Sequence, residues 1–158
     1  MKSIIYKERA RQLMLFDNME RRWGLSPTNI DGFQEYCGKL FMYFEGKVAG
    51  KNLDKGQKMA FEHICESYYQ PEMENTPWLS RHFAWVLVYE HNVPKEEDVM
   101  VFDKIVIDVY SSIKPEWRTP KADDVIPKFI TNNGKITVLE AIEQIEKWCY
   151  EHNIPIGE

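Results

Sequence analysis

A hexapeptide, Tyr-Glu-His-Asn-(Val/Ile)-Pro, occurs twice in the chain, at Tyr89–Pro94 and at Tyr150–Pro155. Each copy ends a segment that opens on a threonine, Thr76 in one case and Thr137 in the other, thirteen positions before the tyrosine. A threonine that can cap, followed one helix-length later by Asn and Pro, reads as a helix start and a helix stop. Asn accepts the left-handed conformation, the apolar residue after it folds back on the last turn, and Pro cannot continue the helix. The two copies therefore predict two helices of equal length. At the offset of 61 residues that superposes them, the interiors do not match: Trp85 meets Glu146 and Leu87 meets Trp148. True repeats match at core positions, so convergent capping is favoured over duplication.

The rest of the chain is read in the same terms. Tyr6–Trp23 has an apolar side (Ala10, Leu13, Met14, Phe16, Met19) and a basic one, and Gly24 stops it. A second helix is expected from Asn29 to Phe44, carrying Phe33, Tyr36, Cys37, Leu40, Phe41 and Phe44 at helical spacing. Gly32 and Gly38 weaken it by about 1 kcal/mol each relative to Ala. A third begins at Leu53-Asp54, with Met59, Phe61, Ile64, Cys65 and Tyr68 on its buried side. Thr76 and Pro77 open the fourth, and Lys95–Asp98 places acid in the first turn of a fifth. Val99–Ile113 is read as helix. The β-branched density of Ile105-Val106-Ile107 leaves a strand as the alternative, but no second long alternating run is there to pair with it.

Lys114–Gly134 is a proline-marked connector closed by the turn signal Asn132-Asn133-Gly134. Thr137 and Glu140 form a capping box, ahead of a stripe of Val138, Leu139, Ile142, Ile145, Trp148 and Cys149. The fold class expected is all-α, a compact bundle of about six helices. It is read as a single domain over residues 1–158, with an N-terminal helical hairpin over 1–46 and a main bundle over 54–158. The expected core is Phe33, Leu40, Phe41, Phe61, Ile64, Phe83, Val86, Ile142, Ile145 and Trp148.

Composition bounds the setting. Apolar residues at 44% place the chain among globular proteins rather than disordered ones. Cys37, Cys65 and Cys149 are odd in number and make no CxxC pair, which suggests reduced thiols in a reducing compartment. The N-terminus lacks a long apolar stretch and no run reaches the length of a membrane span, so a cytoplasmic location with no signal peptide and no membrane partner is expected.

No pattern of reactive residues stands out, and no enzyme, metal or cofactor is expected. HExxH, CxxC and Gly-x-Ser-x-Gly are absent. His63 and Cys65 are two apart and do not share a helix face. Cys37, inside an aromatic-rich helix, is expected to be buried. Gly46–Asn52 superficially resembles a phosphate loop. It has three residues between its glycines where four are needed, ends in Asn52 where Ser or Thr should hold magnesium, and is expected to follow a helix rather than a strand. Glu90-His91 and Glu151-His152 could build a metal or acid–base pair only if the two expected helix ends meet. Otherwise each His simply complements the negative end of a helix.

Charge is the remaining signal. Residues 1–58 carry 11 Lys/Arg against 7 Asp/Glu, and residues 59–158 carry 9 against 18, so a segment of +4 precedes one of −9. Solvated faces are the plain reading. The functional reading is a non-enzymatic protein-binding module, in its narrow form a small inhibitor of phage or mobile-element type, anti-CRISPR-like. Its acidic face would engage a partner with a basic surface such as a nuclease. Glu72, Glu74, Glu96, Glu97, Asp98, Asp103 and Asp108 would supply the charge and Trp117 an aromatic anchor. The alternative is a nucleic-acid-binding regulator that meets phosphates through Arg9, Arg11, Lys47, Lys51, Lys55 and Lys58.

Overall fold

Seven consecutive apolar residues, Phe83–Tyr89, organise the molecule. A segment apolar on every side must be buried on every side, and a strand covered on both faces meets that demand. The computed structural model describes residues 30–68, 81–94 and 96–157. In chain order it has strands β1 (Gly32–Tyr36) and β2 (Leu40–Val48), helix α1 (Lys55–Glu66), strands β3 (Phe83–His91) and β4 (Ile105–Ser111), and helix α2 (Val138–Glu151). The strands form one sheet in the order β1-β2-β3-β4. β1 pairs antiparallel with β2, β2 parallel with β3, and β3 antiparallel with β4, with an irregularity between Val88 and Tyr89.

Alternation along the strands sorts the side chains into two cores. Leu40, Met42, Trp85, Leu87 and Val109 face α2, where Ile142, Ile145, Trp148 and Cys149 meet them. Ala84, Val86, Val88 and Tyr110 face α1, where Phe61 and Cys65 meet them. The sheet is thus the middle layer, with one helix on each face. α1 belongs to the crossover that a parallel β2–β3 pair requires.

This architecture corrects the all-α expectation. Phe33, Tyr36, Leu40, Phe41 and Phe44 fall on helical spacing, but they lie in a β-hairpin. The glycine counted against a helix makes its turn: Cys37 and Gly38 have φ of 53° and 70°, and Lys39 N–H donates to the Tyr36 carbonyl. Such a pair of positive angles suits the twist of a hairpin. Cys37 is accordingly exposed rather than buried. Ile105–Ser111 is a strand. Its neighbour β3 has a continuous apolar run rather than an alternating one, which is why no partner was apparent.

The third helix is present, opened by a capping box between Asp54 at its N-cap and Gln57 in its first turn. So is the last, with its box between Thr137 and Glu140. Of the expected core, Phe33 is 55% exposed, whereas Leu40, Phe61, Phe83, Val86, Ile142, Ile145 and Trp148 are buried. The helix expected at Tyr6–Trp23 and the Thr76 cap lie outside the described residues.

The two hexapeptides end different structures. Tyr89, Glu90 and His91 are the last residues of β3, and Asn92 has no positive φ. Tyr150 and Glu151 close α2, and Asn153 has φ of 57°. Ile154 N–H reaches the Cys149 carbonyl at 2.9 Å and Asn153 N–H the Tyr150 carbonyl at 3.1 Å. That is the bond pattern of a Schellman stop.

Candidate interaction surface

At the β1 edge, on the face of the sheet that carries α2, lies a groove of about 420 Å³. Gly32 and Gln34 of β1 form one wall, and Val101 and Phe102 of the β3–β4 connector form the other. Phe44 and Tyr89 form the floor. Gly32 sits opposite Phe44, and a Cβ there would come 3.3 Å from the Phe44 ring. The missing side chain leaves that ring open to the groove. Gly46 has the same role beneath Tyr89, whose ring would lie 2.7 Å from an added Cβ. The connector wall is held by α2: Leu139 N–H donates to the Phe102 carbonyl and Val138 N–H to that of Lys104.

The rim combines acid with apolar surface. Glu96, Glu97 and Asp103 are exposed on the connector, as are Met100 and Phe102, at 72% and 39%. Asp98 is exposed beside them. Asp103 pairs with Lys104 at 2.7 Å. Asp31, which lines the groove together with Phe33, and Glu35, further along β1, are both exposed. Asp31 accepts from Gly46 N–H at 2.7 Å, and Glu35 accepts from Gly38 N–H. Leu139 and Glu140 extend the mixed surface onto the first turn of α2.

Behind the edge, Glu45 is the one buried carboxylate among the described residues, 4% exposed on the α1 face. Its Oε1 accepts from Gln57 Nε2 at 3.3 Å, while Oε2 has no hydrogen-bond partner. Burial raises its pKa to about 7; Asp31 and Asp54 add to the rise, and Lys47 and a backbone bond oppose it. Burial likewise raises the Tyr89 hydroxyl to about 12, with Asp31 and Glu45 adding to it. Register places Glu45, Val88 and Asp108 in one row across the sheet. Burial raises the Asp108 carboxyl too, and Lys58 pulls it the other way.

The structure therefore gathers some of the expected residues and separates others. Glu96, Glu97, Asp98 and Asp103 share the connector. Asp108 lies apart from them, half-buried under α1. Trp117 is also on the α1 side: its Nε1 donates to Glu62 at 2.8 Å, its ring packs 5.0 Å from Tyr110, and Lys58 lies 5.8 Å above it. It folds back over the sheet–helix junction. Lys47 is the penultimate residue of β2, Lys51 lies in the following loop, and Lys55 and Lys58 are in the first turns of α1. Arg9, Arg11, Glu72 and Glu74 lie outside the described residues.

Gly46–Asn52 begins within a strand rather than after a helix, so the objection from the preceding element changes. The spacing and Asn52 still exclude it, and Gly46–Val48 lie within β2. His91 and His152 do not converge. His152 stacks on Trp148, which packs against Phe83 at the start of β3, whereas His91 is at the other end of that strand. Eight residues of strand separate those ends by roughly 26 Å. Among the described residues no cluster of His, Cys, Asp or Glu could hold a metal ion, and no helix is long and apolar enough to cross a membrane.

Sequence reasoning missed the groove because its walls come from residues about seventy apart. Glu45 did leave a signal: it is the lone carboxylate closing the run Leu40–Phe44. No protein-family model matches the chain, and neither curated proteins nor solved structures give a match.

Proposed function

We propose that the chain is a non-enzymatic protein-binding module that engages a basic partner through the groove and its acidic rim. The reading is supported by one juxtaposition: a groove floored by Phe44 and Tyr89 beside a connector that exposes Met100 and Phe102 among Glu96, Glu97 and Asp103. Desolvated apolar anchors supply most of the affinity of an interface, while surrounding charge selects the partner and speeds encounter. A basic, nucleic-acid-handling protein fits this chemistry, since rigid carboxylates can stand where phosphates would. Blocking such a partner, a nuclease for example, is the corresponding biological role.

The test is capture of partners from the native cell at about 50 and 500 mM salt. The expected result is that basic proteins are retained at low salt and lost at high salt, and lost at both with Glu96→Lys/Glu97→Lys/Asp103→Lys. Retention indifferent to salt and to charge reversal would count against the reading. A gel shift with nonspecific duplex DNA separates the nucleic-acid alternative. No shift is expected; a low-salt shift abolished by reversing Lys47, Lys51 and Lys55 would favour the regulator instead.

A further inference from the structure

β1 is an edge strand: among the described residues it pairs with β2 alone. Lys39 N–H donates to the Tyr36 carbonyl, so Tyr36 turns its backbone toward β2. Alternation then turns Gln34 and Gly32 the same way and leaves the N–H and C=O groups of Phe33 and Glu35 facing outward. Natural sheets blunt such edges with charge, bulges or cover. Here the pairing of β1 with β2 runs without a register shift from Gly32 to Tyr36. Phe33, in the middle of the edge, is 55% exposed, its ring 5.0 Å from that of Tyr43.

The two faces of this edge differ in chemistry. On the α2 side, Gly32 and Gln34 open onto the groove floored by Phe44. Alternation turns Phe33 and Glu35 toward the α1 side, while Asp31, just before the strand, borders the groove, as the exposed edge of Phe33 also does. A strand laid along β1 sends alternate side chains to opposite faces. One set would enter the groove, and the other would meet Glu35, with Asp31 at the start of the strand where the two faces join.

We infer that β1 receives an extended segment of a partner protein as a fifth strand, apolar at every second residue and basic in between. Backbone bonds to Phe33 and Glu35 supply affinity, the groove selects the apolar set, and Asp31 and Glu35 select Lys or Arg. The inference rests on the protein-binding reading and specifies how the partner is held.

The probe is a ten-residue peptide alternating Val and Lys, capped at both ends and fluorescently labelled. Two controls accompany it: Val alternating with Glu, and the same Val and Lys in two blocks. Binding to the full chain is read by anisotropy, and amide exchange is followed with and without peptide. The alternating Val-Lys peptide is expected to bind at least tenfold more tightly than either control and to slow exchange at Phe33 and Glu35. Phe33→Pro removes an outward donor without touching the β2 ladder, and Glu35→Lys reverses the charge. Each is expected to weaken binding about tenfold or more, with the unfolding midpoint reporting that the chain still folds.

Equal binding of the blocked peptide, or binding untouched by Phe33→Pro, overturns strand addition. So does slow exchange at both amides in the free chain, since the edge is then already occupied. If a captured basic partner survives Phe33→Pro but not the reversal of Glu96, Glu97 and Asp103, strand addition fails alone. If neither peptide nor protein binds, the protein-binding reading fails with it.

Discussion

Glu45 shows how one side chain can carry more than its local sequence suggests. Its neighbours Leu40–Phe44 demand burial, and the strand takes it along. The resulting pKa near 7 means that the folded chain holds a proton where the unfolded chain, near 4.5, has lost it. The sign follows from linkage. Below the unfolded value both states are protonated and Glu45 carries no ionisation penalty. As pH rises from about 4.5 to 7 the unfolded state ionises first, so stability falls; above 7 the penalty is constant. Glu45→Gln keeps an acceptor for Gln57 and removes the titration. It is expected to add on the order of 2 kcal/mol at pH 8 and little at pH 4.5, read from urea midpoints at both. An equal gain at the two pH values would contradict the assignment.

At the scale of elements, the repeated hexapeptide is the informative case. One sequence ends a strand in its first copy and a helix in its second. The bonds that hold Asn153 left-handed come from α2 itself, so Asn153→Ala keeps that conformation without the short polar side chain that tolerates it and is expected to cost about 1 kcal/mol. Asn153→Gly should be neutral to slightly stabilising. At Asn92, where φ is not positive, Asn→Ala should change stability by less than about 0.5 kcal/mol. Thermal unfolding of the variants checks this contrast; equal effects at both sites would refute it. α1 and α2 were legible for the same reason that Asn153 is: a cap, a stripe and a stop all lie within one short stretch. β2 and β3 were not. Leu40–Phe44 and Phe83–Tyr89 are apolar at both helical and strand spacing, and periodicity cannot choose between them.

At the scale of the molecule, Cys65 and Cys149 report on the two cores. Both are fully buried, one beneath each helix on opposite faces of the sheet, and burial raises both thiols to about 12. Cys37 is exposed at the hairpin turn. In native buffer a thiol reagent is expected to label Cys37 alone. In rising urea Cys65 and Cys149 should become reactive at one midpoint if the layers unfold as a unit. Two midpoints, read by mass spectrometry of the labelled peptides, would show that one face opens by itself.

What the amino-acid order determined alone was local: the helix start at Asp54, the Thr137 box, the Asn133-Gly134 turn, the Asn153 stop and the amphipathic stripe of α2. Each is closed by bonds spanning five residues or fewer. The candidate groove was not legible in that way, because Gly32, Phe44 and Phe102 become neighbours only once the sheet forms. A helix satisfies its own backbone, whereas Leu40–Val48 must find Phe83–His91 some forty residues away. That remote pairing, with an apolar layer to cover each face, is what made strands of segments whose spacing also suited helices.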